Sequence, residues 1–195
     1  MTAPVARRPG GRSARVRATV RDAVLAELAE HGFDALTVDA VAARSGVHRT
    51  TIYRRWTDVG GLLADALDAA GDDGWEPPDT GSLAGDLVEL NRQVHAALVE
   101  EPSVASAVIA ASFRSEQAAA ALRAFWADRY TRCAVVVERA VERGELAAGT
   151  KPEPVLIAAT APIFHHHMLL GVPLTGEQVD AYAEAASYSS RQAVR

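Results

Sequence analysis

A single cysteine, Cys133, stands in a chain of 195 residues. That excludes a disulfide within the chain and a cysteine-built zinc site, and its neighbours Ala134, Val135 and Val136 mark it as a buried structural thiol. Lysine is nearly missing: Lys151 stands alone against nineteen arginines. No uninterrupted apolar run is long enough to cross a membrane. The opening M-T-A-P-V-A-R-R-P-G-G-R-S-A-R is basic but has no apolar stretch behind it, so it does not read as a secretory signal. Also lacking are the G-x-S-x-G elbow, the P-loop, a glycine-rich dinucleotide turn and the H-E-x-x-H helix. These absences point to a cytoplasmic protein that is not an enzyme, with no membrane partner, no cofactor and no metal expected.

What is present is unevenly placed. Residues 1–56 carry ten arginines and five acids, a charge of +5, while the remainder carries −10, for a net charge of −5. A basic end on an acidic body suits a polyanionic partner at that end, although basic runs alone also occur as solvated tails. The periodicity is helical throughout. Val16, Val20, Val24 and Leu28 recur every four residues between Ser13 and Glu30, with Ser13 a candidate cap and Gly32 a stop. Thr37 can cap a short helix that Gly46 ends, a third helix starts near His48 or Arg49, and Asp58 can cap a fourth. The segment G-D-D-G-W-E-P-P-D-T-G-S, residues 71–82, reads as a loop. Helices are predicted beyond it over Leu83–Glu100, Ser103–Arg114, Glu116–Arg143, Glu153–Leu170 and Gly176–Gln192. The fold class is therefore all-α, with about nine helices.

The stretch S-G-V-H-R-T-T-I-Y-R-R-W, residues 45–56, divides by helix face. Ile52 and Trp56 lie four apart and pack inward. Arg49, Thr50, Tyr53 and Arg54 then point outward, with Thr51 and Arg55 at the flanks. Arginine can donate twice to a guanine edge, threonine can touch a thymine methyl, and tyrosine and arginine hold phosphate. Two short helices about a glycine turn, with such an outward face, make a helix-turn-helix.

H-G-F-D-A-L-T-V-D-A-V-A-A-R-S-G-V-H-R-T-T-I-Y-R-R-W resembles the N-terminal domain of TetR-type transcriptional regulators, over roughly residues 12–70. The resemblance implies a DNA face of Thr37, His48, Arg49, Thr50, Thr51, Tyr53, Arg54 and Arg55. Arg49 and Thr50 would reach bases, while Tyr53 and Arg54 would contact base or phosphate. Thr37, Thr51 and Arg55 would mainly hold phosphate, and His48 would either contact the backbone or cap its helix. It implies a flexible basic arm over 1–12, a DNA-binding domain over 13–58, and a ligand-binding and dimerisation domain over 59–195. The partners would be double-stranded DNA with a palindromic operator, a second copy as homodimer, and an unidentified small-molecule effector that releases a repressor. A regulator without small-molecule control is the alternative. The departure from the pattern is Val59, where relatives often carry a phosphate-binding lysine. Gly60 and Gly61 weaken the helix start there, and Arg7, Arg8, Arg12, Arg15 and Arg17 could supply the missing charge.

The second half offers weaker signals. His95, Phe113, Phe125, Trp126, Tyr130, His165 and Met168 are the side chains that could line a pocket, and plain core is the alternative reading for each aromatic. His165, His166 and His167 are adjacent and fan out around a helix, so a metal would need a further ligand such as His95. An enzyme or metal protein would rest on those histidines alone. The resemblance places a two-fold interface on the last two helices, through Leu156, Ile163, Leu170, Val179, Tyr182 and Ala186.

Overall fold

Hydroxyls and carboxylates at helix starts divide the chain. Thr37 accepts from the Ala40 N–H, Ser82 from Gly85, Ser103 from Ser106 and Ser115 from Ala118. Asp58 accepts from Gly61 at 2.8 Å. Each such cap contributes about 0.5–2 kcal/mol. The structure is a computed structural model and describes residues 11–71 and 74–192. Among these residues are nine α-helices and no strand: α1 (Gly11–His31), α2 (Val38–Ser45), α3 (Arg49–Arg55), α4 (Val59–Gly71), α5 (Leu83–Val99), α6 (Val104–Ser112), α7 (Glu116–Glu142), α8 (Pro152–Phe164) and α9 (Gly176–Gln192). A 3-10 turn covers Phe33–Ala35, and a wider π-helical turn over His165–Leu170 follows α8.

Most predicted boundaries hold to within two residues, with two exceptions. The first helix begins before Ser13, whose hydroxyl accepts from Arg55 at 3.1 Å instead of capping. The eighth is one α-helix only to Phe164; Pro162 lies inside it, and the ladder then widens through the three histidines. A proline has no N–H to give, so the ladder is already one bond short where the π turn begins.

One core joins α1 to α4. Val20, Val24 and Leu28 meet Val41, Ile52, Trp56, Leu62, Leu63 and Leu67, and Val108, Ala111, Ala118 and Ala121 of α6 and α7 complete it. The residues that steady the helix-turn-helix thus continue past 58 into the second half. A second core packs α5, α7, α8 and α9 through Leu83, Leu87, Val136, Val137, Leu156 and Ala183. Buried Asn91 of α5 ties this bundle together, donating to the carbonyls of Ala159 at 3.0 Å and Val179 at 3.2 Å.

Ion pairs brace the basic end. Arg44 of α2 binds Glu27 and Glu30 of α1. Arg17 and Arg21 of α1 both bind Asp65 of α4. Burial alone would raise the Asp65 carboxyl, but hydrogen bonds from the two guanidinium groups outweigh it and hold it below the usual carboxylate range. Arg17 is therefore a brace between helices, not the free arm residue that the sequence suggested. Arg7 and Arg8 lie outside the described residues. No single helix among the described residues is long and apolar enough to cross a membrane.

The glycine pair also has a different meaning from that expected. Gly60 is buried, and a Cβ built on it would lie 2.5 Å from Cβ of Gln117 at the start of α7. Gly61 is open, with Asp58 the nearest atom at 3.7 Å. Gly60→Ala should therefore destabilise by about 1–3 kcal/mol through overpacking. Gly61→Ala should stabilise by roughly 0.5–1 kcal/mol through helix propensity. Urea unfolding of the two variants, with their opposite signs, checks this.

Candidate functional site

Helix α3 owes its orientation to two buried side chains. Ile52 is fully buried and Trp56 nearly so, both within the core of α1, α2 and α4. Gly46 takes the left-handed conformation, φ 66°, that turns the chain between α2 and α3. With that inward pair fixed, Arg49, Thr50, Tyr53 and Arg54 are all exposed. Tyr53 is 55% exposed, a large ring held out in solvent. Arg54 has no ion-pair partner among the described residues. Arg49 reaches Asp39 of α2 at 3.6 Å, a loose surface pair that orders the guanidinium at little energetic gain.

The remaining expected DNA residues divide by role. His48 caps α3: its Nδ1 lies 3.4 Å from the Thr50 N–H and 2.9 Å from the Thr50 hydroxyl. Thr37 caps α2, which occupies its oxygen as acceptor and leaves its O–H to donate. Thr51 is half-buried. Arg55 turns back toward α1, bonded to Ser13 and lying 5.6 Å over the Trp56 ring, at the flank rather than on the outward edge.

The second half contains a cavity of about 560 Å³ between α5, α6, α7 and α8. Trp126 and Tyr130 line it as the sequence suggested, and Phe125 lines it with them. Trp75, from the loop before α5, and Phe164, at the end of α8, line it too and were not foreseen. The Trp75 indole donates to Gln93 at 2.8 Å, and the guanidinium of Arg129 lies 4.2 Å over its ring. Aliphatic side chains of α5 and α6, among them Leu90, Val94, Leu98, Val104 and Val108, form the opposite wall. Cys133 is buried against the same space, and burial pushes its thiol up to about 11, partly offset by Arg129 and Arg132, so it stays neutral at physiological pH.

Four expected lining residues lie elsewhere. Phe113 sits at the C-terminal end of α6 and is 80% exposed. His165 is exposed. Met168 packs with Val94, Ile109 and Phe164 around Leu98, Ile163, Leu174 and Val179. His95 faces His167, Nδ1 to Nε2 at 3.0 Å. His166 completes a second polar pair, its Nε2 lying 2.9 Å from the Tyr182 hydroxyl. No group of three or more metal-binding side chains forms among the described residues. The π turn divides the three histidines between these pairs and solvent.

The expected interface residues need a parallel correction. Leu156, Ile163, Val179 and Ala186 are buried within the chain's own bundle, and Tyr182 is half-buried against His166. Only Leu170 of that set is exposed, at 52%. The outward faces of the last two helices carry Ile157, Ala158 and Ala161 on α8 and Ala181, Ala185 and Tyr188 on α9. On α8, apolar on nearly every side, periodicity could not tell which stripe turns inward.

Comparison with known proteins finds relatives of both ends of the chain. Residues 20–66 match the family model described as bacterial regulatory proteins, tetR family, and residues 77–186 match the tetracyclin repressor-like C-terminal domain. The HTH-type transcriptional regulator AqdR of Rhodococcus erythropolis is 34% identical over 149 residues, spanning 75% of this chain and 71% of that protein. The DNA-binding transcriptional repressor TetR of Mycobacteroides abscessus is 35% identical over 156 residues, spanning 75% of this chain and 78% of that one. A TetR-family regulator from Mesorhizobium loti, solved by crystallography, shares the fold with a TM-score of 0.70 at 17% identity, covering 94% of this chain and 98% of that one.

The histidine cluster gives a pH dependence. His167 is held below its ordinary pKa, by burial first and then by His95 and His166. The folded state therefore binds fewer protons than the unfolded chain below about pH 6.5, so stability rises with pH there. Acidification from pH 7.5 to 5 should lower the melting temperature, and His167→Gln should flatten that slope. Thermal melts across this range, wild type against variant, read the difference.

Proposed function

The chain belongs to the TetR family of helix-turn-helix transcriptional regulators, and we propose that it represses by binding a palindromic operator as a homodimer and leaves when a small molecule fills the cavity. The observation that carries the DNA half is the outward edge of α3: Arg49, Thr50, Tyr53 and Arg54 exposed on a helix whose other side is locked by Ile52 and Trp56. Such an edge fits a major groove, with Arg49 and Thr50 toward bases and Arg54 and Tyr53 toward base or phosphate. Thr37, Thr51 and Arg55 hold the flanking backbone, and the cap at His48 sets where α3 begins. The arm over residues 1–12 adds positive charge against phosphate. The protein works in the cytoplasm, where its operator lies.

Two copies make this edge useful. Recognition helices about 34–36 Å apart read successive major grooves of a palindrome. The exposed apolar side chains at this end support the pairing: Ile157 of α8, Leu170 of the π turn and Tyr188 of α9, with the exposed alanines of the two helices, would meet their two-fold mates, small residues letting the helices approach closely. Repression is the role named for the Mycobacteroides abscessus relative. The cavity's volume lies in the range of small-molecule sites.

Selection of bound sequences from random DNA should yield a palindrome. Arg49→Ala or Thr50→Val should cost about 1–3 kcal/mol and relax preference at particular base pairs. Arg54→Ala should lower the salt slope of binding by about 1 if it holds phosphate. Removing residues 1–12 should also lower that slope. Should no preferred site emerge, the operator reading fails.

A further inference from the structure

The cavity offers rings on one wall, aliphatic carbon on the other and very little to a charge. Taking it as the effector site proposed above, we propose that its ligand is a neutral, flat aromatic molecule with one hydrogen-bond acceptor, packed on Trp126 and bonded to the Tyr130 hydroxyl.

The ring wall favours a flat ligand. Trp126 and Tyr130 stack with centroids 5.8 Å apart and planes 30° apart. Phe125 and Phe164 meet Trp126 edge-on, at 5.5 and 5.4 Å. A planar ring entering this set gains offset or edge contacts beyond its area burial, which a saturated chain does not.

The polar groups select one acceptor. The Thr160 hydroxyl donates to the Leu156 carbonyl at 3.0 Å. Gln93 accepts from Trp75 and donates to Glu89 at 2.9 Å. The Cys133 thiol is neutral and a weak donor. Tyr130 lines the cavity, and its hydroxyl has no hydrogen-bond partner among the described residues. Burial raises its pKa, so at neutral pH it keeps its proton and donates. A ligand acceptor set against that half-buried hydroxyl gains one neutral hydrogen bond that a plain hydrocarbon does not.

The charges argue for neutrality. Among the described residues, Arg129 and Glu100 alone bring charge to the lining. The Arg129 guanidinium lies over Trp75 and, at 5.2 Å, over Phe125, while Glu100 is exposed. An ionic ligand would give up its hydration without a buried counter-ion.

The test titrates the full chain with 9-fluorenone, with fluorene (the same rings without the carbonyl) and with palmitate, by tryptophan fluorescence and calorimetry. Fluorenone should bind in the micromolar range and palmitate much more weakly. Tyr130→Phe should weaken fluorenone roughly fivefold, one neutral hydrogen bond, and leave fluorene unchanged. Ala105→Phe, which fills the cavity from α6, should remove binding of both while circular dichroism shows a folded protein. Tighter binding of palmitate than of the rings overturns the proposal. So does equal weakening of both ring ligands by Tyr130→Phe, or unchanged binding in folded Ala105→Phe. Operator affinity is measured separately with the same ligands. Fluorenone binding that leaves operator affinity untouched overturns the gating and upholds the ligand chemistry. Operator release by palmitate alone does the reverse.

Discussion

The structure depends on how closely α4 lies against the start of α7. Gly60 meets Gln117 with no room for a methyl group, and one turn later Leu63, Ala66 and Leu67 enter the core shared with α1, α6 and α7. That approach makes α4 part of both halves. On one side it holds α1 through Asp65 and the two arginines, and α1 in turn holds α2 through Arg44 and its two glutamates. On the other side, Leu67 reaches the wall of the cavity. The reading helix and the cavity are therefore joined by packed side chains and not merely by the chain.

This arrangement gives the proposed gating a physical route. Leu67 and Phe125 line the cavity and also a second, more polar groove that Arg17, Asp65, Asp68 and Asp128 line with them. A body placed in the cavity presses on a wall whose far side carries the braces between α1 and α4. Close-packed interiors transmit such displacement because they do not compress. The same route explains why the core of the DNA-reading half extends past residue 58. A head that ended there would lose Leu62 and Leu63 from its core and have no rigid link to the body.

What was legible in the sequence follows from how local its causes are. Thr37, Gly46, Ile52 and Trp56 act within one or two turns of themselves, so the cap, the turn and the inward pair could be assigned, and with them the outward edge. The second half depends on contacts between distant segments. Leu156 and Ile157 are adjacent, both apolar and on a helix apolar nearly all round, and only packing against α5 and α9 decides that Leu156 goes in and Ile157 out. Trp75 sits in a proline- and glycine-rich loop that carries no period, yet Gln93 and the guanidinium of Arg129 position it at the cavity. The histidine run looked like one feature because it is contiguous. The π turn separates its members, and their partners come from α5 and α9, at a distance that no spacing rule spans.

The apolar cavity also constrains how regulation can work. A ligand shifts the equilibrium between operator-competent and incompetent dimers only by its differential affinity for the two. Burying about 200 Å² of apolar ligand surface is worth roughly 5 kcal/mol at about 25 cal/mol/Å². Most of that binds both states alike, because hydrophobic burial has no direction. Coupling of about 1–3 kcal/mol per site is typical, and two sites on a dimer can together approach the ~5.5 kcal/mol that moves a population from 1:99 to 99:1. The difference must then arise from shape: whether Leu67 and the ring wall can close over the ligand while α4 keeps its place between α1 and α7. A cavity rich in charges could gate by forming or breaking ion pairs. This one, apolar apart from a few side chains such as Thr160, Gln93 and Tyr130, would on the proposed reading gate by volume, with α4 the element that registers it.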